Sequence, residues 1–301
     1  MEPTTGLTAF FDDRYTTDGA EFETLRKSSI VRDRVLDDGR WVIRSPRPLT
    51  EAEVLAVHDR CYLEALGSGD PAGLAGSNGI GWYPNLLEAV LWSGGGVRDA
   101  VLEALQERRP TASLSSGLHH ARPESGAGYC TINGIAIAVR AALAAGAVRV
   151  LVLDLDAHCG GGTVACLEGV AGFEQVDVST SGYDAYEDTS AAALRISSAG
   201  TYLDDVARAL DSISRPGTID VVLYNAGVDP HEASGGAAGI TTDTIARREA
   251  LVFEWAAAND LPVAFTLAGG YRSSRLDLGG IADLHLLAFR AAAQAAGLRA
   301  A

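Results

Sequence analysis

Asp154-Leu155-Asp156-Ala157-His158 closes the apolar run Val148–Leu155 with a polar residue at every second position. A strand alternates its side chains with period two, so Asp154, Asp156 and His158 point to one face as it ends. Two carboxylates and an imidazole on one face repel or desolvate one another unless a cation lies between them. An Asp/His/Asp oxygen–nitrogen set with open positions suits a catalytic divalent metal, most often zinc. The alternative is a strand-end Asp that caps the next helix, with His158 a satisfied polar residue. Asp229 follows Ile219–Tyr224 after the loop Asn225-Ala226-Gly227-Val228 and is a candidate second carboxylate ligand, or else a turn residue. His231 and Glu232 compete with it but rank lower, because a position just past Pro230 reads as surface loop.

Two further groups offer proton chemistry. Gly117-Leu118-His119-His120 places adjacent imidazoles in a glycine-bounded loop. In a helix or strand they would diverge, but in a loop both can reach one site. One can stay neutral as a base while a carboxylate holds the other charged. A surface histidine pair is the competing reading. Ala268-Gly269-Gly270-Tyr271 sets a tyrosine directly after a strand, where its phenol could donate to a developing oxyanion or simply sit in the core. Gly160-Gly161-Gly162 is no phosphate loop, since it matches neither G-x-x-x-x-G-K-[ST] nor G-x-G-x-x-G.

The elements that position these residues are legible as alternation. Val148–Leu155, Ile219–Tyr224 and Pro262–Leu267 read as buried parallel strands, with weaker candidates at Leu7–Phe11 and Phe173–Val178. Helical patterns cover Leu86–Glu107, Ile132–Ala145, Tyr202–Ser214, Thr242–Asn259 and Leu284–Leu298. Thr241 and Thr242 before Asp243 form a helix start, and Gly146 closes the preceding helix. The pattern predicts an α/β fold, a three-layer α-β-α sandwich around a mainly parallel sheet, with ligands at the carboxyl ends of its strands. No repeat, linker or composition break interrupts it, so residues 1–301 are expected to form one catalytic domain.

Composition narrows the function classes. The 301 residues are 47% hydrophobic and 21% charged, which excludes global disorder. A net charge of −15 argues against nucleic-acid partners and favours cationic small molecules or peptides, although acidity also serves solubility alone. Four cysteines with no C-x-x-C pair exclude a disulfide framework and a cysteine zinc site. The N-terminus shows no signal segment and the apolar stretches are too short to span a membrane, so a cytoplasmic location is expected.

Taken together and in this order, G-L-H-H…G-Y-C, D-L-D-A-H, Y-N-A-G-V-D and A-G-G-Y-R resemble the histone deacetylase superfamily of zinc-dependent, arginase-like hydrolases. The wording of Tyr224–Asp229, Ile245–Phe253 and Gly269–Tyr271 is most similar to its class IV type and bacterial homologues. The resemblance implies hydrolysis of an N-acyl amine: an acyl-lysine, an acyl-polyamine or a small-molecule amide. It implies one Zn²⁺ held by Asp156, His158 and Asp229, and a structural K⁺ framed by Asp154 and the backbone near Asp177. His119, held by Asp154, would act electrostatically; His120 would move the proton; Tyr271 would donate to the oxyanion. Gly128 and Tyr129 match positions that line the acyl channel, and Cys130 matches one beside the metal. Lys27 falls where an arginine binds the product acid.

Three departures stand out. Relatives carry H-G-D-G or Q-G-N-G after the metal histidine; here the run is Cys159-Gly160-Gly161-Gly162, which removes the side chain that orients His120. The expectation is a His120 with a lower pKa and a less fixed ring. The usual H-P dipeptide is replaced by Phe22-Glu23-Thr24-Leu25, and the rim at Gly81-Trp82-Tyr83-Pro84 lacks an aspartate that grips peptide backbones. Two other functions fit less well: a bimetallic ureohydrolase-like enzyme, whose extra aspartates are not apparent, and a non-catalytic acyl-ligand-binding protein.

Overall fold

Leu151 and Leu153 feed one hydrophobic core while Val150 and Val152 feed the other, so the central strand is apolar on both faces and carries no polar residue before Asp154. The computed structural model describes residues 6–16 and 26–298. Its strands are β1 (Leu7–Phe10), β2 (Trp41–Arg44), β3 (Thr111–Ser113), β4 (Val150–Asp154), β5 (Phe173–Ser179), β6 (Ala192–Ile196), β7 (Val221–Asn225) and β8 (Val263–Thr266). They form one eight-stranded sheet in the order β2-β1-β3-β8-β7-β4-β5-β6, with every pairing parallel. Parallel strands need crossovers, and the helices that supply them cover both faces.

The helices are α1 (Lys27–Asp38), α2 (Glu51–Leu55), α3 (Arg60–Ser68), α4 (Ala72–Ala75), α5 (Leu86–Glu107), α6 (Gly134–Ala144), α7 (Gly161–Cys166), α8 (Tyr202–Ser212), α9 (Thr242–Ala258) and α10 (Leu278–Ala295). α1, α8, α9 and α10 pack in the core that holds Leu151 and Leu153; α5 and α6 pack on the other face. This is the expected three-layer arrangement. None of the described helices is long and apolar enough to cross a membrane.

The differences from the sequence reading have local causes. α9 starts as expected, with the Thr241 hydroxyl accepting from the Thr244 amide. α10 begins at Leu278 rather than Leu284, because Gly279 and Gly280 hide its first turn while the Asp277 carboxylate caps it. β2, β3 and β6 escape the sequence reading because they are short, and β6 is an edge strand with a mostly exposed pattern. α1 is likewise unanticipated; its mean hydropathy is low, and Gly39 in the left-handed region ends it. Phe22–Leu25 lie outside the described residues.

Candidate active site

β4, β7 and β8 are neighbours in the middle of the sheet, and the polar residues singled out above leave their carboxyl ends. Asp154 is the last residue of β4; Asp156 and His158 continue its alternation into the following loop. Asp229 arrives from the loop after β7. The three side chains of Asp156, His158 and Asp229 present ligand atoms that all lie within 4.8 Å of one another, the one such grouping found among the described residues. His158 Nδ1 is 3.2 Å from Asp156 Oδ1 and 3.1 Å from Asp229 Oδ2.

These carboxylates are buried and held by backbone donors. Asp156 accepts from the amides of His158 (3.1 Å) and Gly269 (2.9 Å), and Asp229 Oδ1 from Ala157 (3.0 Å). Asp229 Oδ2 is buried and faces the His158 ring at 3.1 Å, with no backbone or other side-chain hydrogen bond. A Cβ at Gly227 or Gly269 would overlap the Asp156 and Asp229 carboxylates, so both glycines leave room for a compact polar cluster. Burial alone disfavours a charged imidazole at His158, yet the hydrogen bonds and charges of Asp156 and Asp229 outweigh it and raise its pKa to about 11. Two buried carboxylates, an Asp229 oxygen that meets only the His158 ring, and a strong demand for positive charge fit a divalent cation with Asp/His/Asp ligands.

The two histidines of the Gly117–His120 loop lie side by side against this cluster, ring centroids 3.9 Å apart, and both are buried. His119 Nδ1 donates to Asp154 Oδ2 at 2.8 Å; burial opposes its charge, but Asp154 and Asp156 win and raise its pKa to about 10. His120 goes the other way: burial first, then the charge of His119, lower its pKa to about 4. One histidine is therefore charged and the other neutral.

His120 does not lack a carboxylate partner. Its Nδ1 lies 3.0 Å from Oδ2 of Asp184, so the expectation drawn from Gly161 is corrected: the ring is fixed, and its low pKa follows from burial and His119 rather than from a missing acid. Asp184 and its neighbour Tyr183 are the residues that sequence reasoning missed. Nothing in S-T-S-G-Y-D marks them; they acquire a role only where the loop after β5 meets the histidines. Tyr183 is 49% exposed and stands edge-on to His120 and His158, with centroids at 4.9 and 5.9 Å.

An open cleft of about 860 Å³ leads to the cluster between Tyr129, Gly128 and Tyr183, with Tyr271 and His158 deeper in. Tyr129, 44% exposed, has φ 65° and its amide donates to Asn78 O at 2.8 Å. Gly128 cannot carry a side chain, because a Cβ there would overlap His120. The near wall is Ser77-Asn78-Gly79 rather than the expected Gly81–Pro84, where Trp82 instead donates to Leu66 O; this wall holds no carboxylate. Tyr271 is held at its backbone by Ser234 (2.8 Å), and burial, reinforced by Asp229 and Asp156, raises its phenol well above the ordinary range. The Cys130 thiol is pushed up by burial, so it is no thiolate.

A small pocket of about 20 Å³, sharing Gly128, Tyr129 and Tyr271 with the cleft, is also lined by Lys27, His119, Cys130 and Asp156. Lys27, the first residue of α1, is fully buried and donates from Nζ to Ala268 O at 2.5 Å. Burial lowers its pKa to about 8, against the pull of Asp229 and Asp156. Asp154 and Asp177 are adjacent in register on β4 and β5, both buried. His231 is also buried, bonded to Thr242 and the Ala233 amide, and Glu232 pairs with Arg275; neither joins the site.

Comparison with known proteins shows the family and the fold. The profile of the histone deacetylase domain matches residues 20–282. An uncharacterized protein of Picosynechococcus is 31% identical over 84% of this chain and 87% of its own length. Histone deacetylase 2 of Arabidopsis thaliana is 28% identical over 81% of this chain and 67% of its own. Among solved structures, the acetylpolyamine aminohydrolase of Burkholderia pseudomallei superposes with a TM-score of 0.77 over 96% of this chain and 99% of its own, at 20% identity. A profile that runs through nearly all of the described sheet and the whole polar cluster places the chain in the histone deacetylase family.

Proposed function

We propose that the protein is a zinc-dependent hydrolase that cleaves the amide of a small N-acyl amine, releasing a carboxylic acid and the amine. The observation that carries this reading is the buried Asp156/His158/Asp229 cluster, whose Asp229 Oδ2 meets only the His158 ring, beside one charged and one neutral histidine. Polarisation of the acyl carbonyl and acidification of a water are what a divalent ion held by these three side chains supplies. His120, neutral and bonded through Nδ1, keeps Nε2 to take a proton from water as the new C–O bond forms. It returns that proton to the nitrogen as the C–N bond breaks. His119 stays charged and stabilises the negative charge that develops nearby, while the protonated phenol of Tyr271 donates to the oxyanion.

Substrate size follows from space. A pocket of about 20 Å³ has room for one or two waters, which suits an acetyl methyl better than a long chain. Lys27, which lines that pocket, would receive the product carboxylate. The wall at Ser77–Gly79 has no carboxylate to grip a peptide backbone, so a free amine such as an acetylated polyamine, the substrate in the name of the Burkholderia relative, fits better than a histone tail. A K⁺ framed by Asp154 and the backbone near Asp177 would offset the negative charge these two buried carboxylates bring together.

Turnover of acetylpolyamines, acetyl-lysine peptides and longer acyl-lysines, with and without chelator, tests this reading. Faster turnover of acetylpolyamines, abolished by chelation and reduced about 100-fold or more in Tyr271→Phe, is expected. No turnover of any amide by the metal-loaded protein would refute it.

A further inference from the structure

Position 161 and Asp184 compete for one space. A Cβ on Gly161 would overlap the carbonyl oxygen of Asp184 and come within 2.8 Å of its Oδ1. Asp184 projects into that space from the loop after β5, and the loop is tied to the metal-site segment. The Thr180 and Ser181 amides donate to Ala157 O at 3.0 and 2.8 Å, and the Cys159 amide donates to Tyr183 O at 3.0 Å. Asp184 has φ 60°, a left-handed conformation that Asp tolerates better than most residues. Its side chain is nearly buried and fully engaged: Oδ2 accepts from His120 Nδ1 at 3.0 Å and from the Gly162 amide at 2.9 Å, and Oδ1 pairs with the Arg122 guanidinium.

We propose that Asp184 is the positioning residue for His120, and that Gly161 is what admits it: the carboxylate that orients this imidazole comes from the β5–β6 loop instead of the metal-site loop. Arg122 holds the far oxygen, so the carboxylate can turn neither away from His120 nor toward the cluster. Tyr183 precedes Asp184, so one loop supplies both an aromatic wall of the cleft and the orientation of the proton carrier.

The inference rests on the hydrolase reading for what His120 does, but the hydrogen bond can be tested without turnover. Long-range ¹H–¹⁵N NMR of the metal-loaded wild type, with His120 assigned from the His120→Ala spectrum, is expected to show the proton on Nδ1. A proton on Nε2 alone would overturn the proposal even if amides are hydrolysed. In kinetics, Asp184→Asn is expected to lower kcat about 10- to 100-fold with KM changed less than about 3-fold and metal content unchanged. In the His120→Ala background the same change should cost less than about 2-fold. Equal losses in both backgrounds, or an unaffected kcat in the single variant, would contradict it. Should Asp184→Asn fail to fold, the wild-type tautomer decides.

Discussion

Gly269 stands where any side chain would overlap the Asp156 and Asp229 carboxylates, and its own amide donates to Asp156 at 2.9 Å. Gly269→Ala is therefore expected to reduce bound metal more than it reduces stability: metal analysis should show well below wild-type occupancy with the thermal midpoint largely retained. Full occupancy would mean the carboxylates can part without loss. The histidine pair yields a second expectation. Burial and the His119 charge lower the His120 pKa to about 4 from an ordinary value of 6.5. The unfolded chain thus takes up that proton first on acidification, so His120 subtracts stability as pH falls from about 6.5 to about 4 and costs nothing above. NMR titration should keep its ring neutral to about pH 4; a midpoint near 6.5 would contradict the assignment of the neutral partner. Asp156, His158 and the histidine pair were legible in the sequence because D-x-D-x-H and H-H each carry chemistry within a few residues, whereas Asp229 read equally as a turn residue until the family resemblance singled it out. Asp184 was not, since a lone loop aspartate gains meaning only when three distant segments converge.

α9 ties together the loops that carry Asp156 and Asp229. Arg248, fully buried, donates to Leu155 O (3.0 Å) and Gly227 O (2.7 Å), the carbonyls just before Asp156 and near Asp229, and pairs with Glu249. Glu249 in turn accepts from the Tyr224 hydroxyl at 2.8 Å. Removing the cation alone leaves a buried carboxylate uncompensated, so Arg248→Met should cost about 3–5 kcal/mol in denaturant unfolding. Arg248→Met/Glu249→Leu should cost less than the single change; the reverse order would show the pair to be a net stabiliser. β4, β7 and β8, which bear the site, were readable as continuous apolar runs because both faces are covered. α1 was not, because its polar sequence gives little periodicity, even though it carries Lys27 to the floor of the site. Edge strand β6 offers no apolar run to read.

Across the whole molecule, a net charge of −15 should draw cationic substrates toward the cleft. kcat/KM for an acetylpolyamine is expected to fall as salt is raised from about 0.01 to 0.15 M, as screening shortens the range of attraction, while a neutral amide should be indifferent. Equal salt responses would remove charge from the account of specificity. The parallel sheet converges its polar strand ends on one cluster, and among the described residues no second grouping of metal-ligating side chains appears. Everything assigned to His119, His120 and Tyr271 depends on a single cation at that place. Metal analysis of the protein as purified, beside Asp156→Ala and Asp229→Ala, tests this most directly. The expected result is close to one zinc per chain in the wild type and almost none in either variant; two manganese ions per chain, or zinc that persists when both carboxylates have been removed in turn, would contradict it.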